Sequence, residues 1–220
     1  MDTVIPINTS NAPLKAIYLT AEDLSLAASL LYQAYHDDPL LMQILNSSDT
    51  SSSAYEKKLR ALIREELNSF WQGHEPLVGL FKEGVLKAVA CVFKSGSKMR
   101  AQRVWHWRLK LMLSAGYLTT QQLIEKEKII RESLNDYDCY HFLAFIAVAP
   151  GMQKQGIGSF LLRALDDLIK TDEDTLGLAV YVTRNDLKAL FLNDGFNQIK
   201  KLEFSNISGD LLFKSKSSLK

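Results

Sequence analysis

The chain has 220 residues, enough for one sizeable core, and its 47 % hydrophobic and 23 % charged residues are ordinary for a globular protein. A formal net charge of +1 argues against nucleic acid as the main partner, and two cysteines, Cys91 and Cys139, cannot build a disulfide framework and read as reduced thiols. The start carries no basic-then-apolar leader, and the longest apolar run, Phe142 to Pro150, is too short for a membrane helix, so a cytoplasmic protein without a membrane partner is expected.

Residues Met1 to Pro13 read as a loose leader, and Leu14 to Leu19 as a first strand. Thr20 with Asp23 three residues on is an N-cap arrangement for a helix whose core face is Leu24, Ala27, Ala28, Leu31, Tyr32 and Tyr35. Pro39 disfavours helical geometry at Asp38, which stops that helix. A short helical stretch, Leu40 to Leu45, follows. Asn46 to Ser53 is a polar loop, and Tyr55 to Trp71 returns to helical spacing through Leu59, Leu62, Ile63, Glu66, Leu67 and Phe70.

Leu77 to Lys82 and Val85 to Phe93, joined by Glu83-Gly84, form a hairpin pattern. Cys91 lies mid-strand among apolar residues and reads as a small core thiol. Two helical stretches are expected next, Met99 to Ser114 and Thr119 to Leu134, divided by Ala115-Gly116-Tyr117. The first has a wide apolar face that includes Trp105 and Trp107, which suggests burial or a lid. None of the four histidines has metal-ligand spacing, so no metal is expected.

Phe142 to Val148 is a continuous apolar strand, followed by a turn with Pro150 and Gly151. Gln153-Lys154-Gln155-Gly156-Ile157-Gly158 then opens an amphipathic helix to Lys170. The first amides of a helix have no carbonyl partner within it, and its dipole favours an anion there. Glycines at that point let phosphate oxygens reach the main chain. Leu176 to Thr183 is the next strand and Asp186 to Asn193 a short helix ended by Gly195. Phe196 to Phe204 and Asp210 to Phe213 are the last strands, and the basic tail from Lys214 is expected to fray.

Val148-Ala149-Pro150 followed by Gln153 to Gly158 resembles the acetyl-coenzyme A site of the Gcn5-related N-acetyltransferases, the GNAT superfamily. The family's signature is Gln/Arg-x-x-Gly-x-Gly/Ala after a strand ending in Val-x-Pro. The helical pair before the central strand and the segment Ala34 to Pro39 are similar to the puromycin N-acetyltransferase-like branch. The resemblance implies an α/β (α+β) fold: a mixed, mainly antiparallel twisted sheet of about six to seven strands flanked by helices. It implies a single domain, with a helical insertion from about Gly96 to Asp138 and a coenzyme-binding core from about Cys139 to Phe204.

The same resemblance implies acetyl-coenzyme A as cosubstrate and a small-molecule or peptide amine as acceptor, in a monomer or homodimer. The pantetheine arm would pair with the main chain of Ile146, Ala147 and Val148. The pyrophosphate would sit on the amides of Lys154 to Ser159, within Gln153, Lys154, Gln155, Gly156, Ile157, Gly158 and Ser159. Asn185 and Phe191 lie near positions that touch the coenzyme. Asp37 and Asp38 fall where the family builds its acceptor wall, and for either Asp a cap on the next turn is the alternative; Trp107, with Trp105, hints at an apolar or aromatic-bearing acceptor, and core packing is its alternative.

Acyl transfer needs the amine to lose a proton, donors aimed at the oxyanion, and a proton for the leaving thiolate. Many family members carry a Tyr four residues before a Gly-Phe pair for that last step, but here Phe191 precedes Gly195-Phe196. Tyr181 is the candidate substitute, and a core tyrosine is its alternative. Otherwise water carries the protons and positioning supplies the rate, or the chain binds acyl-coenzyme A without efficient turnover.

Overall fold

The computed structural model describes residues 13–94, 109–204 and 206–219. Seven strands form one sheet: β1 (Lys15–Tyr18), β2 (Leu77–Lys82), β3 (Val85–Phe93), β4 (His141–Val148), β5 (Gly177–Val182), β6 (Asn197–Phe204) and β7 (Ile207–Ser215). Their order is β1-β2-β3-β4-β5-β7-β6, and every neighbouring pair is antiparallel except β4 with β5. The β2–β3 turn places both Glu83 and Gly84 at positive φ, 54° and 73°, the twist that a two-residue hairpin demands.

Helices α1 (Leu24–Tyr35), α2 (Pro39–Ile44), α3 (Ser53–Gln72) and α4 (Tyr117–Ser133) supply one apolar core, and α5 (Ile157–Thr171) and α6 (Asn185–Asn193) the other. Each core takes alternate residues of the strands, so the sheet is covered on both faces. Residues 109–115 are helical as well, and Gly116 at φ 101° separates them from α4. The expected Met99 helix otherwise lies outside the described residues, as does Trp107. Among the described residues no helix is long and apolar enough to cross a membrane.

The entry to α1 is fixed as its sequence implies: Asp23 Oδ2 accepts from the Thr20 amide at 2.8 Å and from the Thr20 hydroxyl at 2.9 Å. Asp38 caps α2, its Oδ1 accepting from the Leu41 amide at 2.9 Å. The end of α6 carries a left-handed Gly195 (φ 90°), with the Phe196 amide donating back to the Phe191 carbonyl at 3.1 Å. The rings of Phe191 and Phe196 meet edge to face at 5.2 Å, which is the apolar contact this cap favours.

The frayed tail is not observed. β7 starts at Ile207, runs to Ser215, and holds Lys214 with only 7 % of its side chain exposed. The Lys214 ammonium lies 2.8 Å from both Asp166 on α5 and Asp194 after α6. Lys216 follows suit, donating to the Asp172 carbonyl at 2.6 Å. A basic composition hid these partners, since all three acids lie far away in sequence.

Candidate active site

β4 and β5 pair only from His141–Leu178 to Leu143–Val180, whereas β4 stays paired with β3 as far as Val148. Beyond Leu143 the two parallel strands part and a fork opens. A register shift in the β3–β4 ladder coincides with the parting. It leaves Ala144 unmatched, so Ala144 and Phe145 both pack into the α1–α4 core while Ile146 turns to the other face.

The main chain lining the fork follows from the ladder. The Ala149 amide donates to Lys87 on β3 at 2.8 Å. Alternation along an antiparallel pair then turns Ala147 toward β3 and aims the amides and carbonyls of Ile146 and Val148 into the fork. Both are engaged by side chains of the protein. The Tyr35 hydroxyl accepts from the Ile146 amide at 3.1 Å and donates to the Ile146 carbonyl at 3.3 Å. The Gln153 side-chain amide donates to the Val148 carbonyl at 3.3 Å.

The loop after β4 makes a single turn over Pro150–Met152, then runs to Gly156, the residue before α5. Gly156 has φ +80°, and nothing lies within 4 Å of where its Cβ would be. Lys154 is also left-handed at φ 59°. The first helical hydrogen bond is from Phe160 to the Gly156 carbonyl at 3.0 Å. The amides of Ile157, Gly158 and Ser159 therefore precede the ladder, and among the described residues no acceptor occupies them.

Gly156 and Gly158 thus do different work. Gly156 supplies the left-handed turn and leaves open space above the helix end. At Gly158 a Cβ would meet Leu190 of α6 at 3.1 Å, so that glycine lets α5 and α6 approach. Gln153, Lys154 and Gln155 are exposed around the loop, and the Gln155 side chain ties back to the Gly151 carbonyl at 3.0 Å.

The other predicted residues are dispersed. Asn185 is exposed in the first turn of α6. Phe191 is 1 % exposed and belongs to the α5–α6 core, held there by the cap it makes with Phe196. Tyr181 is half-buried over Gly209, its hydroxyl 3.5 Å from the Leu202 carbonyl on β6, away from β4; burial pushes its phenol up. Asp37 is exposed, 3.8 Å from Arg184, and Asp38 Oδ2 accepts from the Thr183 hydroxyl at 3.4 Å. Both acids therefore tie the α1–α2 corner to the end of β5. Cys91 is fully buried, which pushes its thiol up and leaves it inert.

Tyr35 is the residue that sequence reasoning missed. It was legible as part of the α1 core face, but nothing local distinguishes a tyrosine that packs from one whose hydroxyl reaches a strand 111 residues away. Its ring packs edge-on against Phe145 at 5.4 Å, and burial pushes its phenol up, so it keeps its proton and serves as a donor. A separate cavity of 240 Å³, lined by Tyr18, Trp71, His74, Glu75 and Lys94 among others, lies beyond the start of β2 and the end of β3. That is the opposite end of the sheet from the loop.

No family model and no curated protein matches the chain. Solved structures do. A histone acetyltransferase HPA2-related acetyltransferase from Corynebacterium glutamicum aligns over 91 % of this chain and 95 % of its own, with TM-score 0.66 and 14 % identity. A GNAT-family acetyltransferase from Streptococcus agalactiae covers 94 % of this chain and 99 % of its own, with TM-score 0.56 and 12 % identity. The PaiA N-acetyltransferase of Thermoplasma acidophilum, solved with coenzyme A, covers 92 % and 99 %, with TM-score 0.56 and 14 % identity. The seven-stranded sheet, its one parallel junction and the helices on both faces are thus the fold of the GNAT-family acetyltransferases.

Proposed function

We propose that this protein is an acyl-coenzyme A-dependent N-acyltransferase, moving an acetyl group from acetyl-coenzyme A to the amine of a small molecule or peptide. One observation carries the reading: the fork exposes the edge of β4 beside three unoccupied amides at the start of α5. A diphosphate fits those amides and the helix dipole behind them. An amide-bearing arm fits the carbonyls of Ile146 and Val148, to which the Tyr35 hydroxyl and the Gln153 amide now donate the hydrogen bonds such an arm would donate. Ala147, turned to β3, drops out of that set. The coenzyme A complex of the Thermoplasma neighbour, which shares the fold, supports the choice of ligand.

In the transfer the amine nitrogen bonds to the thioester carbonyl carbon, and the carbon–sulfur bond breaks after collapse of the oxyanion. The Ile146 amide, freed when Tyr35 swings aside, is the donor for that oxyanion. The displaced Tyr35 phenol stays beside the fork and gives its proton to the departing thiolate, the task for which Phe191 has no group. The amine's proton leaves to water.

The test is to titrate coenzyme A calorimetrically and then follow free thiol with acetyl-coenzyme A and a panel of amines. Turnover with any amine establishes the transferase. Binding without thiol release favours the second reading, an acyl-coenzyme A-binding protein without efficient turnover, which the burial of Phe191 and the outward Tyr181 also favour. No binding at millimolar coenzyme removes both.

Tyr35→Phe gives a signature that a merely structural residue would not. The coenzyme no longer has to displace a hydroxyl, so affinity rises by about fivefold, the worth of one neutral hydrogen bond. Turnover falls by about tenfold or more, because the thiolate loses its donor. A variant with weaker binding and unchanged turnover contradicts the assignment.

A further inference from the structure

The cavity beyond the start of β2 has a frame of main-chain bonds. α3 ends at Gln72, and its last carbonyls are closed by the His74 amide on the Trp71 carbonyl at 3.1 Å and the Glu75 amide on the Phe70 carbonyl at 3.0 Å. That pair of bonds turns the chain through one left-handed residue, where glycine is the usual choice. Here Gly73 comes one residue early at φ −80°, and His74 takes the left-handed position at φ 54°. The Leu19 amide donates to the Leu77 carbonyl at 2.8 Å, and the Val92 amide to the Pro76 carbonyl at 3.0 Å. The ends of α3, β1 and β3 are thereby fixed around the entry to β2.

The lining divides by exposure. Tyr18, Trp71 and His74 are exposed, whereas Leu19, Leu77 and Glu75 are only 3–7 % exposed. Among the described residues the three exposed aromatic side chains make no hydrogen bond, ion pair or ring contact, so the fold uses neither their faces nor their polar tips. The buried Glu75 is held in place, one carboxylate oxygen accepting from the Lys94 amide at 2.9 Å. Lys94 itself is exposed at the end of β3, and its long stem lets the ammonium stay in water.

His74 is the informative residue. A left-handed backbone costs an L-residue stability that glycine would keep, and the His74 ring returns no contact to the fold. A strained residue that packs against nothing points to a site. Its ring completes an aromatic lining beside a buried carboxylate, and aromatic faces with a carboxylate attract a cation. A primary ammonium brings three N–H donors that need acceptors, whereas the lining offers one carboxylate, already shared with the Lys94 amide. A quaternary ammonium needs no acceptor at all.

We propose that this cavity is a second ligand site, separate from the fork, that takes a small quaternary ammonium ion among Tyr18, Trp71 and His74 with the Glu75 carboxylate as its counter-charge. Its volume of 240 Å³ is below the ~300–1,000 Å³ of pockets for drug-sized ligands, which suits an ion of few heavy atoms. The site depends on neither coenzyme binding nor acyl transfer, since it lies at the opposite end of the sheet from the loop.

The test titrates choline, its neutral isostere with carbon in place of the nitrogen, and ethanolamine into the full chain, followed by ligand-observed NMR. Choline should bind about tenfold or more tightly than either of the others. Trp71→Leu and Glu75→Gln should each close the gap between choline and its isostere; the glutamine keeps an oxygen for the Lys94 amide. His74→Gly should weaken choline binding while raising the melting temperature by about 2–4 °C, a combination that a merely structural residue would not give. If Glu75→Gln fails to fold, Trp71→Leu, at an exposed position, carries the same comparison. The proposal is overturned if choline does not bind at tens of millimolar, if the isostere or ethanolamine binds as tightly, or if the gap survives in Trp71→Leu. Coenzyme A titrated into the same proteins reads the fork separately and should bind them all alike.

Discussion

Replacing Gly156 by Asp should lower coenzyme affinity by at least about a hundredfold while leaving the fold intact. The replacement puts a carboxylate at the residue preceding α5, beside the amides of Ile157, Gly158 and Ser159. Like charges brought together at a binding surface cost several kcal/mol, hence the size of the effect. Two observations argue that stability survives. Nothing lies within 4 Å of the new Cβ, and the left-handed backbone at φ +80° is one that Asp tolerates better than most residues. Gly156→Asn separates charge from shape: it has the same size and conformational tolerance without the charge, and should keep most of the affinity. Calorimetric titration of coenzyme A into the three proteins decides the matter. If the Asp variant binds like the parent, the diphosphate does not sit at this helix.

The second large effect concerns stability. Lys214→Met should cost about 3–5 kcal/mol, because it leaves two buried carboxylates facing each other. Asp166 and Asp194 are 16 % and 15 % exposed at the side chain, and both lean on the same ammonium. Burial already pushes the Asp166 carboxyl up, and contact with Lys214 opposes that push. Without the lysine its pKa rises further. A carboxylate whose folded pKa is raised binds more protons in the native state, so the variant gains stability as pH falls into the carboxylate range. Urea melts of parent and variant at neutral pH and near pH 4 check both size and sign. A loss under about 1 kcal/mol at neutral pH would mean the cluster contributes little.

Those two sites differ in how readable they were. The loop was legible because its chemistry is local: a strand, a proline turn and glycines before an amphipathic helix fall within a few residues of one another. The strands and helices were legible for the same reason, down to the Thr20–Asp23 cap and the Glu83-Gly84 turn. What escaped depends on residues far apart in the chain. The Lys214 tail looked frayed because Asp166 and Asp194 reach it only through the β5–β7 pairing. Tyr35 looked like core until a strand met its hydroxyl. Phe191 was assigned to the site by its spacing from Gly195-Phe196, whereas that same spacing makes it the apolar half of a helix cap. Asp38 shows the reverse, since one side chain both caps α2 and holds the Thr183 hydroxyl.

The short parallel junction has a mechanical consequence. β1 to β4 form one leaf and β5 to β7 the other, and they are sewn together by three residue pairs. At the far end the leaves are held by the Thr183 hydroxyl on the buried Asp38 at 3.4 Å and by a surface ion pair of 3.8 Å, the latter of small worth in water. The apolar cores on both faces take residues from both leaves, so a wedge entering the fork pries at one end of a sheet whose covering helices bridge the gap.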